Sequence, residues 1–89
     1  MNAKRRKSLR AILAKLEELE SLRSEIHDML EEVKDEEQEA LDNMPESLQE
    51  AERGQQMQEY IDTMEGVMDE LDNIDTEDLY SQLEEITEG

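Results

Sequence analysis

His27 is the only histidine in the chain, and Glu25, Asp28 and Glu31 lie close to it in sequence. A metal centre on a helix draws on a His-x-x-x-His or Glu-x-x-His spacing, because residues three and four apart share a face. Neither spacing occurs, so His27 reads as a solvated or ion-paired side chain. The acidic runs EEVKDEEQEALD and DELDNIDTED lack the central Gly and the twelfth-position Glu of a calcium loop. They read as solvated helical faces, and no metal or cofactor is expected. Five serines (Ser8, Ser21, Ser24, Ser47 and Ser81) share that one histidine, and no Gly-rich turn frames any of them. Paired carboxylates do acid–base work only where a dry pocket lifts one pKa. A thin helical protein offers no such pocket, so an enzyme is not expected.

Carboxylates in such numbers do have another use. The chain carries 27 acidic and 9 basic side chains, a net charge of -18. Residues 1–15 hold six of the bases and no acid, a net +6; residues 16–89 hold the other three bases and all the acids, a net -24. Acids three and four apart on a helix form a ladder with steps of ~5–6 Å. Rows on two helices approximate the phosphate spacing of nucleic acid, and such a surface is steered toward the basic groove of a nucleic-acid-handling protein. The plainer reading is that the acids keep a helical protein soluble. The partner-binding candidates are Glu31, Glu32, Asp35, Glu36, Glu39, Glu65, Asp69 and Glu70. The basic cluster Lys4–Arg10 has three readings: neutralisation by the chain's own carboxylates, docking on an acidic partner, or contact with nucleic acid. The remaining -24 repels a polyanion, so direct nucleic-acid binding is not expected.

The elements that position these residues are helical. Leu9, Ile12, Leu16, Leu19, Ile26, Leu30, Val33 and Ala40 recur at heptad spacing, widened by Leu13, Leu22 and Met29. This predicts helix 1 over 8–42, capped by Ser8, behind a basic tail 1–7. Arg23 and Glu37 fall at seam positions and help to fix the register. Asn43 and Pro45 break the pattern. A second helix is predicted over 45–73, and Gly54, where two stripes join out of phase, marks either a kink or the end of a short helical turn over Pro45–Arg53. A third follows over 75–87, with Asp75 as N-cap and Ile74 stapled on Leu79.

The predicted fold is all-α: one domain over 1–89, an antiparallel, coiled-coil-like helical hairpin with a short C-terminal helix, dimerising into a bundle. The expected core and dimer seam comprises Leu16, Leu19, Ile26, Leu30, Val33, Met57, Tyr60, Met64, Val67 and Leu71. Methionines such as Met64 and Met68 suit either a core or an adaptable partner face. A turn near residue 44 pairs residue i with about 88 - i. That sets Leu9 against the Leu79 region, Leu30 against Met57–Tyr60, Arg23 against Glu65, and Lys4–Arg10 beside Asp78, Glu84, Glu85 and Glu88. A chain with no Phe, Trp or Cys has only a thin core, which a second subunit commonly supports. The segment AILAKLEELE is interrupted by Lys15 and Glu17, so it forms neither a signal core nor a bilayer span. A cytoplasmic location is expected.

The layout MNAKRRKSLRAIL…LEELESLRSEI, then DNMPESLQEAERGQQ and YIDTMEGVMDELDNI, resembles small acidic helical proteins encoded by bacteriophages and prophages of gut-type bacteria. The NMPESLQ turn is the most distinctive part. The resemblance implies a mobile-element origin and supplies no catalytic residues. By analogy with phage inhibitors of host nucleases and defence systems, some of which mimic DNA, it favours a non-enzymatic accessory protein that binds and modulates a protein partner. The alternative is a structural coiled-coil or scaffold module with no specific acidic face.

Overall fold

The computed structural model describes residues 1–88 and is all-α, with no strand among the described residues. Its helices are α1 (Ala3–Asp42), α2 (Glu46–Gln49), α3 (Glu52–Asp72) and α4 (Thr76–Glu88). The chain packs as two compact units. Unit 1 joins Met1–Glu25 to the chain from Ile74 onward, and unit 2 is Ile26–Asn73.

Helix α1 starts five residues before the expected cap. The carboxamide of Asn2 accepts the Arg5 backbone N–H at 2.9 Å, which satisfies a free donor of the first turn. The Ser8 hydroxyl donates to the Lys4 carbonyl at 3.2 Å, as a serine inside a helix does. Lys4–Lys7 therefore belong to the helix and form no separate tail; Lys and Arg are good helix formers, so nothing stops the helix before Asn2.

The break at 43–51 is built from side chains. Pro45 precedes α2 with φ -56 and ψ 144. The Gln49 carboxamide donates to the Met44 carbonyl at 2.9 Å, tying α2 back to the end of α1. The second break falls at Glu50–Ala51, where Ala51 is extended at ψ 169, and not at Gly54. Gly54 is buried inside α3, and a β-carbon there would lie 2.2 Å from the Gln49 carbonyl oxygen. The glycine permits this close approach of α2 and α3. At the last boundary the Asp75 carboxylate accepts the Asp78 N–H at 2.9 Å, a cap for α4. Ile74 and Leu79 both remain nearly half exposed, so a staple between them covers little surface.

The apolar interior is small. Leu13 is buried in unit 1, and Leu41 and Ile61 are buried in unit 2, with Ile61 only 1% exposed. Around them the sheltered positions of α1 recur with three–four spacing, Arg6, Leu9, Leu13, Leu16, Glu20, Arg23, His27, Leu30, Lys34, Glu37 and Leu41, with Gln38 in addition. Those of α3 are Gly54, Met57, Ile61, Met64, Met68 and Leu71. The row through Leu9, Leu16 and Leu30 is the one expected. Of the expected core and dimer seam, Leu19, Ile26, Val33, Tyr60 and Val67 are 42–52% exposed in the single chain, so they are not part of its core. Their places inside go to the next residue along, which on α1 is polar: Glu20, His27 and Lys34.

The pairing register also differs. Leu9 and Ile86 line one recess, Thr76 bonds Glu20, and His27 meets Asp72. Within each unit the partner lies about two to three turns further along the chain than a turn at residue 44 places it.

Candidate functional site

In unit 2, α1 and α3 sort their side chains by charge. Take the sheltered residues His27 and Lys34 on α1, and Ile61 and Met68 on α3, as reference. Side chains one and four residues later are Asp28, Glu31, Asp35 and Gln38 on α1, and Asp62, Glu65, Asp69 and Asp72 on α3, all acidic but Gln38. One residue is 100° of rotation and four residues only 40°, so these acids share one flank of each helix. Contacts place the two flanks together. An open groove of about 290 Å³ is lined by His27, Lys34, Glu65, Met68, Asp69 and Asp72. His27 Nε2 lies 3.4 Å from the Asp72 carboxylate and Nδ1 lies 3.6 Å from that of Asp28. Lys34 Nζ is 3.3 Å from Asp35. Glutamine amides extend the network: Gln38 donates to Asp42 and Gln58 to Asp62.

All eight expected partner-binding acids are exposed. The structure brings Glu31, Asp35, Glu65 and Asp69 to this flank. Glu32 and Glu39 lie on the outer side of α1, while Glu36 and Glu70 border the opposite flank. Ligand atoms of His27, Asp28 and Glu31 fall within 4.8 Å of one another. That is the ordinary outcome of i, i+1 and i+4 spacing on one helix.

Unit 1 centres on Glu20, which periodicity alone did not single out. Arg23 grips its carboxylate with two bonds, Nε at 2.9 Å and Nη2 at 2.6 Å. The Thr76 hydroxyl, 3% exposed at the start of α4, donates to the same carboxylate. The Arg23 bond first, and then Thr76, hold the Glu20 carboxyl at about 2, well below the usual 4.5. Arg23 is thus held in part by its own helix, through Glu20. Beside this network, Leu16, Glu17, Thr76 and Tyr80 line an open groove of about 400 Å³. Burial first, and then the Glu17 carboxylate, push the Tyr80 hydroxyl above the ordinary phenol range. A signal for Glu20 was available: it keeps the seven-residue phase of Leu13 and His27.

The basic cluster shares unit 1 with the carboxylates of α4. Arg5 and Ser8 line a recess with Met1, Leu9 and Ile86. The expected pairing of Lys4–Arg10 with Asp78, Glu84, Glu85 and Glu88 does not take the form of direct ion pairs among the described residues. Unit 1 holds seven Lys/Arg and ten Asp/Glu, a net -3; unit 2 holds two and seventeen, a net -15. The acidic excess therefore sits almost wholly in unit 2.

Among the described residues no helix is long and apolar enough to cross a membrane. No family model, curated protein or solved structure matches the chain.

Proposed function

We propose that this chain is a non-enzymatic, antiparallel helical hairpin that binds a basic protein partner through the acidic flank of unit 2. The observation that carries the reading is charge segregation. Glu65, Asp69 and Asp72 of α3 line one groove opposite His27 and Lys34, and helical spacing puts Glu31 and Asp35 of α1 on the same flank, on a unit of net charge -15. Two carboxylate rows on neighbouring helices suit the phosphate-binding groove of a nucleic-acid-handling protein, and their field speeds the encounter. A phage or prophage setting, with a host defence protein as target and DNA mimicry as the means, fits this surface. Lys4–Arg10 are then a local counterweight to α4, not a nucleic-acid arm, and the protein works in the cytoplasm as a homodimer.

The test replaces Glu31, Asp35, Glu65 and Asp69 together by Gln and compares capture from bacterial lysate on immobilised protein. The expected result is that wild type retains DNA- or RNA-binding proteins which duplex DNA competes off. The fourfold variant, with unchanged helical circular dichroism, retains them at least about tenfold less, as the loss of several charge pairs implies. Equal retention by a folded variant, or retention that DNA does not disturb, overturns the mimic. The second reading, a structural coiled-coil module, draws on the exposed apolar side chains of α1 and α3. It predicts that function survives the fourfold change and fails only when those side chains are altered.

A further inference from the structure

The apolar residues missing from the interior of unit 2 are not scattered. Ile26 and Val33 each precede a sheltered residue of α1 by one, and Tyr60 and Val67 do the same on α3. One step back along a helix turns the side chain 100° the opposite way from one step forward. Of the acids that follow the sheltered residues, Glu65, Asp69 and Asp72 line the groove, so these apolar residues lie on the other flank, with Met29 beside them. All five are 42–60% exposed. Glu36 and Glu70 stand only at the border. Unit 2 is therefore two-sided, acidic on one flank and largely apolar on the other, where Arg53, one residue before the sheltered Gly54, is the charge at one end.

We infer that a second copy of the chain docks on this apolar flank, with Ile26, Met29, Val33, Tyr60 and Val67 of each copy forming the interface. The inference rests on the homodimer reading above and names its surface. Charge selects the occupant. An unlike partner drawn to a chain of net charge -18 is basic, and its attraction points to the acidic flank. A second copy carries the same negative charge and approaches at least cost where its carboxylates face away. Area agrees. The five side chains expose on the order of 500 Å² per copy, and about 1,000 Å² in a symmetric pair, which is the level a specific interface must reach. A patch used twice about a two-fold axis also satisfies itself without a new surface. The interface so defined is distinct from the intrachain seam, which keeps Leu30, Met57, Met64 and Leu71.

Sedimentation equilibrium on the full chain, with Val33→Glu and Val67→Glu introduced singly and together, tests the inference. Wild type is expected to be dimeric at micromolar concentration. The double variant is expected to be monomeric with unchanged helical content, its dissociation constant raised about a hundredfold or more by four buried like charges per dimer. Raising salt from about 50 mM to about 500 mM should tighten the wild-type dimer, since screening relieves repulsion between like-charged copies. Mixing isotopically labelled and unlabelled wild type supplies a check that needs no substitution. Filtered contacts between copies should fall on Tyr60 and on the methyl groups of Ile26, Val33 and Val67. A wild type that stays monomeric overturns both the inference and the homodimer reading. A dimer that survives in the folded double variant, or intercopy contacts on Leu13, Leu30 and Met64, overturns the inference and leaves the homodimer reading standing.

Discussion

Two glycines of one helix predict opposite outcomes for the same substitution. At Gly54 a β-carbon meets the backbone of Gln49 at 2.2 Å, and backbone cannot swing aside. Gly54→Ala should separate α2 from α3 and cost about 2 kcal/mol or more, read as a lower urea midpoint. At Gly66 nothing lies within 4 Å of the added carbon. Gly66→Ala should raise stability by about 0.5–1 kcal/mol, the helix-propensity difference. Glu20 adds a pH signature. Its carboxyl is held at about 2 in the folded chain against 4.5 normally, so its stabilisation is present above the normal value and disappears as pH falls through the folded one. The difference in urea midpoint between wild type and Glu20→Gln should be constant above about pH 5 and vanish near pH 2. Global acid effects appear in both proteins and cancel in the difference. A gap that persists at pH 2 would show that Glu20 acts through packing and not through charge.

At the scale of elements, the all-helical class, the break near Pro45 and the Asp75 cap were legible because each rests on local chemistry: a missing N–H or a carboxylate three residues before a free donor. The seam was half legible. Periodicity identifies a stripe, but α1 carries two apolar rows, and hydrophobicity alone selects the richer one, through Leu19, Ile26 and Val33. The structure shelters the poorer row, with Glu20, His27 and Lys34. What decides this lies outside α1. Glu20 bonds Thr76 and His27 meets Asp72, so these partners sit dozens of residues away, beyond the reach of a local pattern. Polar residues inside a seam weaken it but penalise slipped registers, in which their charges lose partners. The four candidate acids that gather on one flank follow the same logic: their types were readable, whereas their grouping depended on which row turned inward.

For the whole molecule, the uneven charge of the two units is the property to probe. Unit 2 carries -15 on 48 residues, Ile26–Asn73, and its only Lys or Arg residues are Lys34 and Arg53; unit 1 is close to balanced at -3. Like charges on a compact unit repel, and the cost falls as the screening length shrinks from about 10 Å at 0.1 M salt to about 3 Å at 1 M. Added sodium chloride should therefore stabilise unit 2 and leave unit 1 nearly unchanged, because screening there weakens attractions and repulsions alike. Hydrogen exchange resolves the two. Protection of amides in α3 should rise with salt by about 1 kcal/mol or more, and protection in α4 should change by less than about half of that. Choline chloride should match sodium chloride at equal ionic strength if screening is the cause, since it offers no ion that carboxylates could coordinate. Equal gains in α3 and α4 would mean that the chain opens as one cooperative body, and the charge difference between the units would then have no separate consequence for stability.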